Sequence, residues 1–101
     1  MSLSMAQKAA TRCEFARNFE LLGLSPSDAA ADLGVSVNRI EDIMNLKHVR
    51  QLEDAWVLRA YLIDQAERRG IELAPFTALA GDPADYWFLD ASRISAMLLD
   101  E

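Results

Sequence analysis

Side chains that could catalyse a reaction are scarce in this chain. It contains one histidine, His48, and one cysteine, Cys13, so neither a pair of histidine metal ligands nor a paired cysteine motif is available. No glycine-rich loop with phosphate-binding spacing is present either. We interpret His48 as a solvated loop residue or a neighbour of phosphate, and Cys13 as a small core hydrophobe. The sequence therefore predicts a non-enzymatic protein without metal or cofactor.

Residues 25–46 carry the most informative pattern, which is that of two short helices joined by a tight turn. Ser25 is a suitable N-cap, and Pro26 follows at the first helical position, where its missing N–H costs nothing. Gly34 stands where the chain must turn, because glycine tolerates the left-handed conformation. Ser36 is then the expected cap of the second helix. This stretch is thus predicted to be a helix-turn-helix.

Apolar side chains recur on one side of each of these two helices. The expected inward residues are Ala29, Ala30 and Leu33 in the first helix, and Val37, Ile40, Ile43 and Met44 in the second. Ala30 lies four residues before Gly34, where the helices must approach closely, and Ile40 and Ile43 lie six and nine residues after it. With this spacing the stretch resembles the helix-turn-helix of phage-repressor-like DNA-binding proteins.

The resemblance implies that the second helix is a recognition helix, whose first turn and outer face meet base edges and phosphates. Asparagine can pair with adenine, and arginine can pair with guanine or with phosphate. Basic residues just beyond the helix would hold phosphates. The DNA-binding residues that the resemblance implies are Ser36, Asn38, Arg39, Lys47 and Arg50. Double-stranded DNA is then the expected partner, and regulation of transcription the expected function.

The charge of the chain favours a second interpretation. Glu41 and Asp42 stand on the expected outer face of the second helix, where carboxylates would repel phosphates. The formal net charge is −6, and residues 71–101 hold one arginine against six acidic side chains. The alternative is a non-enzymatic protein-interaction module that keeps the helix-turn-helix scaffold and presents an acidic face to a partner protein.

A helix of about 4–22 is expected to precede the helix pair. Ser4 and Gln7 have the spacing of a capping box, and Gly23 is a suitable residue just past the helix end. Its expected inward residues are Ala9, Cys13, Phe15, Ala16, Phe19 and Leu22. These side chains would pack this helix against the helix pair.

The longest helix is expected at about 52–69, stopping before Gly70. One apolar stripe consists of Leu52, Ala55, Trp56, Leu62, Ile63 and Ala66, and a second consists of Val57, Leu58 and Tyr61. A helix that is apolar on more than one side is either central in a bundle or part of an interface. We interpret the second stripe as core, with a homodimer contact as the alternative. Two-fold symmetric DNA sites would favour such a dimer.

The last part of the chain, 71–101, is expected to be a connector followed by a helix. A turn is indicated at 81–83 by its glycine and proline. The apolar run 86–89 is too short to assign by its period, so it could pair as a short hairpin with 76–79 or begin the final helix, about 90–99. This C-terminal segment is the other candidate for homodimer contacts.

These elements predict a single all-α domain of 1–101, a five-helix bundle with a phage-repressor-like helix-turn-helix. No run approaches the roughly 20 apolar residues of a membrane span, and no secretory signal is visible. With one cysteine and no internal disulfide, a cytoplasmic location is the default expectation.

Nearly the whole chain also resembles a small bacterial family of uncharacterised helix-turn-helix proteins. The resemblance rests on four segments, EFARNFELLGLS, AADLGVS, LEDAWVLRAYL and WFLDASRI. It implies the fold rather than an activity, because no residue roles come with it.

Overall fold

The computed structural model describes residues 4–47 and 52–80, together with Ile94, Met97 and Leu99. Four α-helices lie in these ranges: α1 Met5–Leu22, α2 Pro26–Leu33, α3 Val37–Met44 and α4 Leu52–Arg69. No residue of the described part is in a β-strand. The all-α class is therefore confirmed for this part of the chain, with four of the five expected helices.

Local capping chemistry sets the bounds of the first two helices, which agree with the sequence prediction. The Ser4 side chain accepts from the Gln7 N–H, and the Gln7 side chain accepts from the Ser4 N–H. Ser25 and Asp28 form the same reciprocal pair at the start of α2. Each pair satisfies two backbone groups that would otherwise lack a partner, so the helix start is fixed by residues three apart.

The long helix α4 lies at the centre of the core. Both of its predicted apolar stripes contribute buried side chains, including Trp56, Val57, Leu58, Tyr61 and Leu62. They share one cluster with buried side chains from the other three helices, namely Phe15, Phe19, Leu22, Ala29, Ala30, Ile40 and Ile43. The interpretation of the second stripe as core is confirmed, because Val57, Leu58 and Tyr61 are all buried. These three side chains are therefore not available for dimer contacts.

The predicted inward face of α1 is only half right. Phe15, Phe19 and Leu22 are buried as expected, whereas Ala9, Cys13 and Ala16 are exposed. The buried polar residues Thr11 and Asn18 occupy the inward face in their place. Small apolar residues gain little from burial, so their recurrence is a weak sign of which face is inward. Cys13 is therefore not a core residue.

Asn18 is buried where its side-chain amide forms two hydrogen bonds with the backbone of the segment after α4. Its Nδ2 donates to the Ala74 carbonyl at 3.0 Å, and its Oδ1 accepts from the Ala74 N–H at 2.7 Å. Glu14 holds the same segment through the N–H and hydroxyl of Thr77. Residues 71–80 thus lie along α1 without forming a helix or a strand.

The expected C-terminal hairpin and fifth helix fall mainly outside the described residues. Residues 76–79 are not in a strand, so of the two alternatives for 86–89 the one that pairs them with 76–79 as a hairpin is wrong. Residues 86–89 themselves lie outside the described part. Of the helix expected at about 90–99, Ile94 is helical and buried, whereas Met97 is in a turn with a φ of 55° and Leu99 is in neither a helix nor a strand. The expected helix is therefore wrong at Met97 and Leu99, and its other residues lie outside the described part.

Candidate nucleic-acid interface

Helices α2 and α3 pack together across a turn of three residues, 34–36. Gly34 has a φ of 72° and its N–H donates to the Ala30 carbonyl, which ends α2. Ser36 begins α3, because its side-chain oxygen accepts from the Arg39 N–H at 3.2 Å. Ala30 and Ile40 are buried between the helices. This arrangement leaves the opposite side of α3 exposed.

The first turn of α3 exposes two side chains of different chemistry. Val37 is 37 % exposed, although the sequence pattern predicted it to face inward. That prediction was wrong because the first residue of a helix lies at the edge of its apolar stripe. Asn38 is also exposed. Among the described residues, the Asn38 amide makes no hydrogen bond, so both of its polar atoms face solvent.

Arg39 lies on α3 but points toward α4. Its Nη2 is 2.7 Å from Oδ2 of Asp54, and the two side chains are 18 % and 4 % exposed. A charge-assisted hydrogen bond of this length is strong when it is shielded from water. The guanidinium is therefore engaged inside the protein and does not project from the exposed face of α3.

The remaining residues of the predicted site lie at opposite ends of α3. Ser36 is exposed at its start, and Lys47 is exposed three residues after its end. The Lys47 N–H donates to the Asp42 carbonyl, which fixes the backbone there. Arg50, and with it His48, lies outside the described residues.

Acidic side chains lie on both helices of the pair. Asp28, Asp32 and Glu41 are exposed, and Asp42 is half-buried. Arg39 is paired with Asp54, so it does not offset these carboxylates. Lys47 is then the only exposed basic side chain among described residues 24–47. Within residues 24–47 exposed carboxylates therefore outnumber exposed basic side chains, and Arg69 of α4 lies beside two of them, Asp28 and Asp32.

A second feature lies where the start of α2 meets the end of α4. An open cleft of about 340 Å³ there is lined by residues that include Asp28, Asp32 and Arg69. Hydrogen bonds from Ser25 hold the pKa of Asp28 below its ordinary value. Tyr61 donates its hydroxyl to Asp32 at 2.5 Å. Burial, and then this carboxylate, raises the pKa of the Tyr61 phenol well above its ordinary value.

Neither a metal site nor a membrane span is found in the described part of the chain. There, no three histidine, cysteine or carboxylate side chains are grouped to hold a metal ion. None of the described helices combines the length and the apolar character needed to cross a membrane.

Sequence reasoning missed the partners of two functional side chains. Asp54 is fifteen residues from Arg39 in sequence, and the residues between them include a turn, so no helical spacing could reveal their pair. Tyr61 and Asp32 are similarly distant, at 29 residues. An acidic residue within the apolar pattern of α4 was the available signal for Asp54, because a buried carboxylate needs a cationic or hydrogen-bonding partner.

Comparison with known proteins places the chain in a family. No curated protein and no solved structure matches it. Residues 1–90 match the model of a family described as an uncharacterised protein conserved in bacteria, DUF2316. Because this match covers most of the 101 residues, the chain belongs to the DUF2316 family of bacterial proteins.

Proposed function

We propose that this protein is a cytoplasmic DNA-binding regulator in which α2 and α3 act as a phage-repressor-like helix-turn-helix. In this proposal α3 enters the major groove of double-stranded DNA, and Ser36 and Asn38 face it from the first turn. Lys47 and Arg50 hold phosphates beyond the end of the helix. Arg39 keeps α3 fixed to α4.

The observation that carries the proposal is the exposed first turn of a short, firmly seated helix. Its buried side, Ile40 and Ile43, is part of the core, and its opposite side carries an exposed amide at Asn38. A helix that is held on one side and polar on the other can enter the major groove as a rigid unit.

The acidity of the same surface favours a second candidate function, that of a module which binds a basic partner protein. The exposed carboxylates of Asp28, Asp32 and Glu41 are not offset by Arg39, which is paired with Asp54. Such a surface would attract a lysine- or arginine-rich segment and would lower the affinity for phosphates.

One double variant, Glu41→Gln with Asp42→Asn, separates the two functions because it acts on them in opposite directions. Two unit charges about 6–7 Å apart in water repel by roughly 0.6 kcal/mol. If DNA binds here, we expect affinity for a duplex of arbitrary sequence to rise about 3-fold per removed charge. If a basic protein binds here, affinity for a lysine-rich peptide should fall instead. Fluorescence anisotropy with labelled duplex and labelled peptide measures both.

A control variant removes equal charge elsewhere. Glu67 and Glu72 are exposed at and beyond the end of α4, whereas Arg39 contacts Asp54 near its start. Glu67→Gln with Glu72→Gln should leave the DNA affinity within about 1.5-fold of wild type, because charges more than a Debye length from the bound DNA are screened. An equal rise in DNA affinity for both double variants would contradict a groove-facing position of Glu41 and Asp42.

The proposal includes a homodimer, since paired modules match two-fold symmetric DNA. Because Val57, Leu58 and Tyr61 are buried in the chain, α4 could contribute only its remaining surface. We therefore expect the C-terminal segment, 71–101, to supply the contacts. Sedimentation equilibrium tests this: a monomer at all concentrations would remove the dimer from the proposal.

A further inference from the structure

We propose that the first turn of α3 reads an A·T base pair and its neighbour, with Asn38 on adenine and Val37 on the methyl group of a thymine. This inference rests on the DNA-binding function proposed above and adds which bases are read. It also implies that Arg39 does not contact a guanine.

The chemistry of Asn38 carries the first half of the inference. Its side chain is exposed at the second position of α3, and within the described residues its amide has no hydrogen-bond partner. An amide presents one donor and one acceptor side by side. Adenine presents the complementary N6 donor and N7 acceptor in the major groove, so asparagine can hold it with two hydrogen bonds.

The exposure of Val37 carries the second half. Apart from Met5, it is the only large hydrophobic side chain exposed among the described residues. It lies directly beside Asn38, in the turn of a groove-bound helix that comes closest to the bases. Thymine is the base that offers an apolar contact there, through its 5-methyl group. An exposed valine at this position therefore has a natural partner on DNA.

The engagement of Arg39 excludes the commonest alternative. Arginine to guanine is the most frequent specific contact between proteins and DNA. The Arg39 guanidinium, however, is bonded to Asp54 on α4, and the Arg39 side chain is 18 % exposed. To reach guanine it would have to give up this 2.7 Å ion pair with a buried carboxylate, which is costly. We therefore assign base recognition by α3 to the two exposed residues that precede Arg39, namely Val37 and Asn38.

The helix also supplies a matched control. Asn45 is exposed as Asn38 is, but its Nδ2 donates to the Glu41 carbonyl at 2.9 Å and so is turned back on its own helix. Asn38→Ala and Asn45→Ala remove the same group from the same face. We expect only Asn38→Ala to abolish the preference for adenine.

The experiment uses the full chain and a duplex recovered from a random pool by repeated selection at low salt. One version of this duplex carries 7-deazaadenine in place of each adenine in turn, and another carries deoxyuridine in place of each thymine. The first change removes the N7 acceptor and the second removes the methyl group. Affinities are measured by anisotropy for wild type, Asn38→Ala, Val37→Ala and Asn45→Ala.

The expected result is a pair of specific losses. For wild type and Asn45→Ala, 7-deazaadenine at one position should weaken binding. Asn38→Ala should bind the unmodified duplex about 5- to 150-fold more weakly than wild type, and 7-deazaadenine should not weaken its binding further. Deoxyuridine next to it should weaken wild type about 4-fold and leave Val37→Ala unaffected, which is the effect of one buried methyl group.

Two other results overturn the inference, and they are distinguishable. If no duplex is retained even at low salt, the proposed DNA-binding function itself fails. If duplexes are retained but Asn38→Ala and Val37→Ala keep the sensitivity of wild type to both modified bases, DNA binding stands and this assignment of bases is wrong. A third result would also contradict the inference. It is a selected motif made of guanines whose enrichment disappears with Arg39→Ala, while the stability of that variant equals that of wild type.

Discussion

At the scale of single residues, the ion pair between Arg39 and Asp54 directs the Arg39 side chain toward α4 and away from the exposed face of α3. The 2.7 Å contact joins the first turn of α3 to the first turn of α4. Asp54 is almost fully buried, and the Arg39 guanidinium stabilises its charge there. A residue whose type and place in the sequence suggest base recognition is thereby engaged in holding the fold together.

Removing one member of this pair should destabilise the protein. We expect Asp54→Ala to lower the free energy of unfolding by about 2–4 kcal/mol, because it removes the carboxylate that pairs with a largely buried guanidinium. The double variant Arg39→Met with Asp54→Leu should lose less than either single variant, since no buried charge is then left. Urea denaturation of Asp54→Ala, of the single variants Arg39→Met and Asp54→Leu, and of the double variant measures this. A double variant as unstable as the sum of the singles would show that the two side chains do not act as a pair.

The phenol of Tyr61 gives a prediction about pH. Burial and the Asp32 carboxylate raise the pKa of this phenol in the folded protein above its ordinary value of 10.0. In the unfolded chain the phenol therefore ionises first. The stability that Tyr61 contributes is present in full below pH 10 and is lost as the pH rises toward the folded pKa.

Tyr61→Phe tests this contribution. Below pH 10 we expect the variant to be about 1–2 kcal/mol less stable than wild type, because the hydrogen bond to Asp32 is lost. Above pH 10 this difference should shrink by up to about 1.4 kcal/mol per pH unit. Urea denaturation of both proteins from about pH 8 to pH 11 gives the difference. A difference that does not change with pH would contradict a raised pKa at Tyr61.

At the scale of helices, the sequence predicts bounds better than faces. The bounds depend on residues that are neighbours, such as Ser25 with Asp28 and the turn at Gly34, and these were predicted correctly. The inward face of α1 depends on distant partners. The pairing of Asn18 with the backbone of Ala74, 56 residues away, has no trace in hydrophobic spacing. On α3 the exposure of Asn38 and Glu41 was predicted correctly, whereas the exposure of Val37 and the direction of Arg39 were not.

The turn between α2 and α3 can be tested at Gly34. A Cβ added there would meet no atom within 4 Å, so a substitution would cost only the strain of a φ of 72°. We expect Gly34→Ala to lower the free energy of unfolding by about 1–2 kcal/mol. Gly34→Asn should cost less, because asparagine tolerates the left-handed conformation. Thermal denaturation compares the two, and equal losses would point away from backbone strain.

At the scale of the whole molecule, the net charge limits how the protein could bind DNA. The net charge of −6 opposes general attraction to DNA, so binding would depend on a small basic area near Lys47 and Arg50. Few phosphate contacts imply a shallow dependence on salt, with a slope of log affinity on log salt of about −0.9 per contact. Specific base contacts would then have to supply a large share of the affinity.

The most direct test of the central claim, that α3 binds duplex DNA, is retention of the purified chain on a pool of random duplexes at low and at physiological salt. We predict that low salt retains duplexes, that retention falls as salt rises, and that repeated selection enriches a short motif. Enrichment should disappear with Asn38→Ala and persist with Asn45→Ala. No retention at low salt would contradict the claim and would favour a basic partner protein for the acidic surface of α2 and α3.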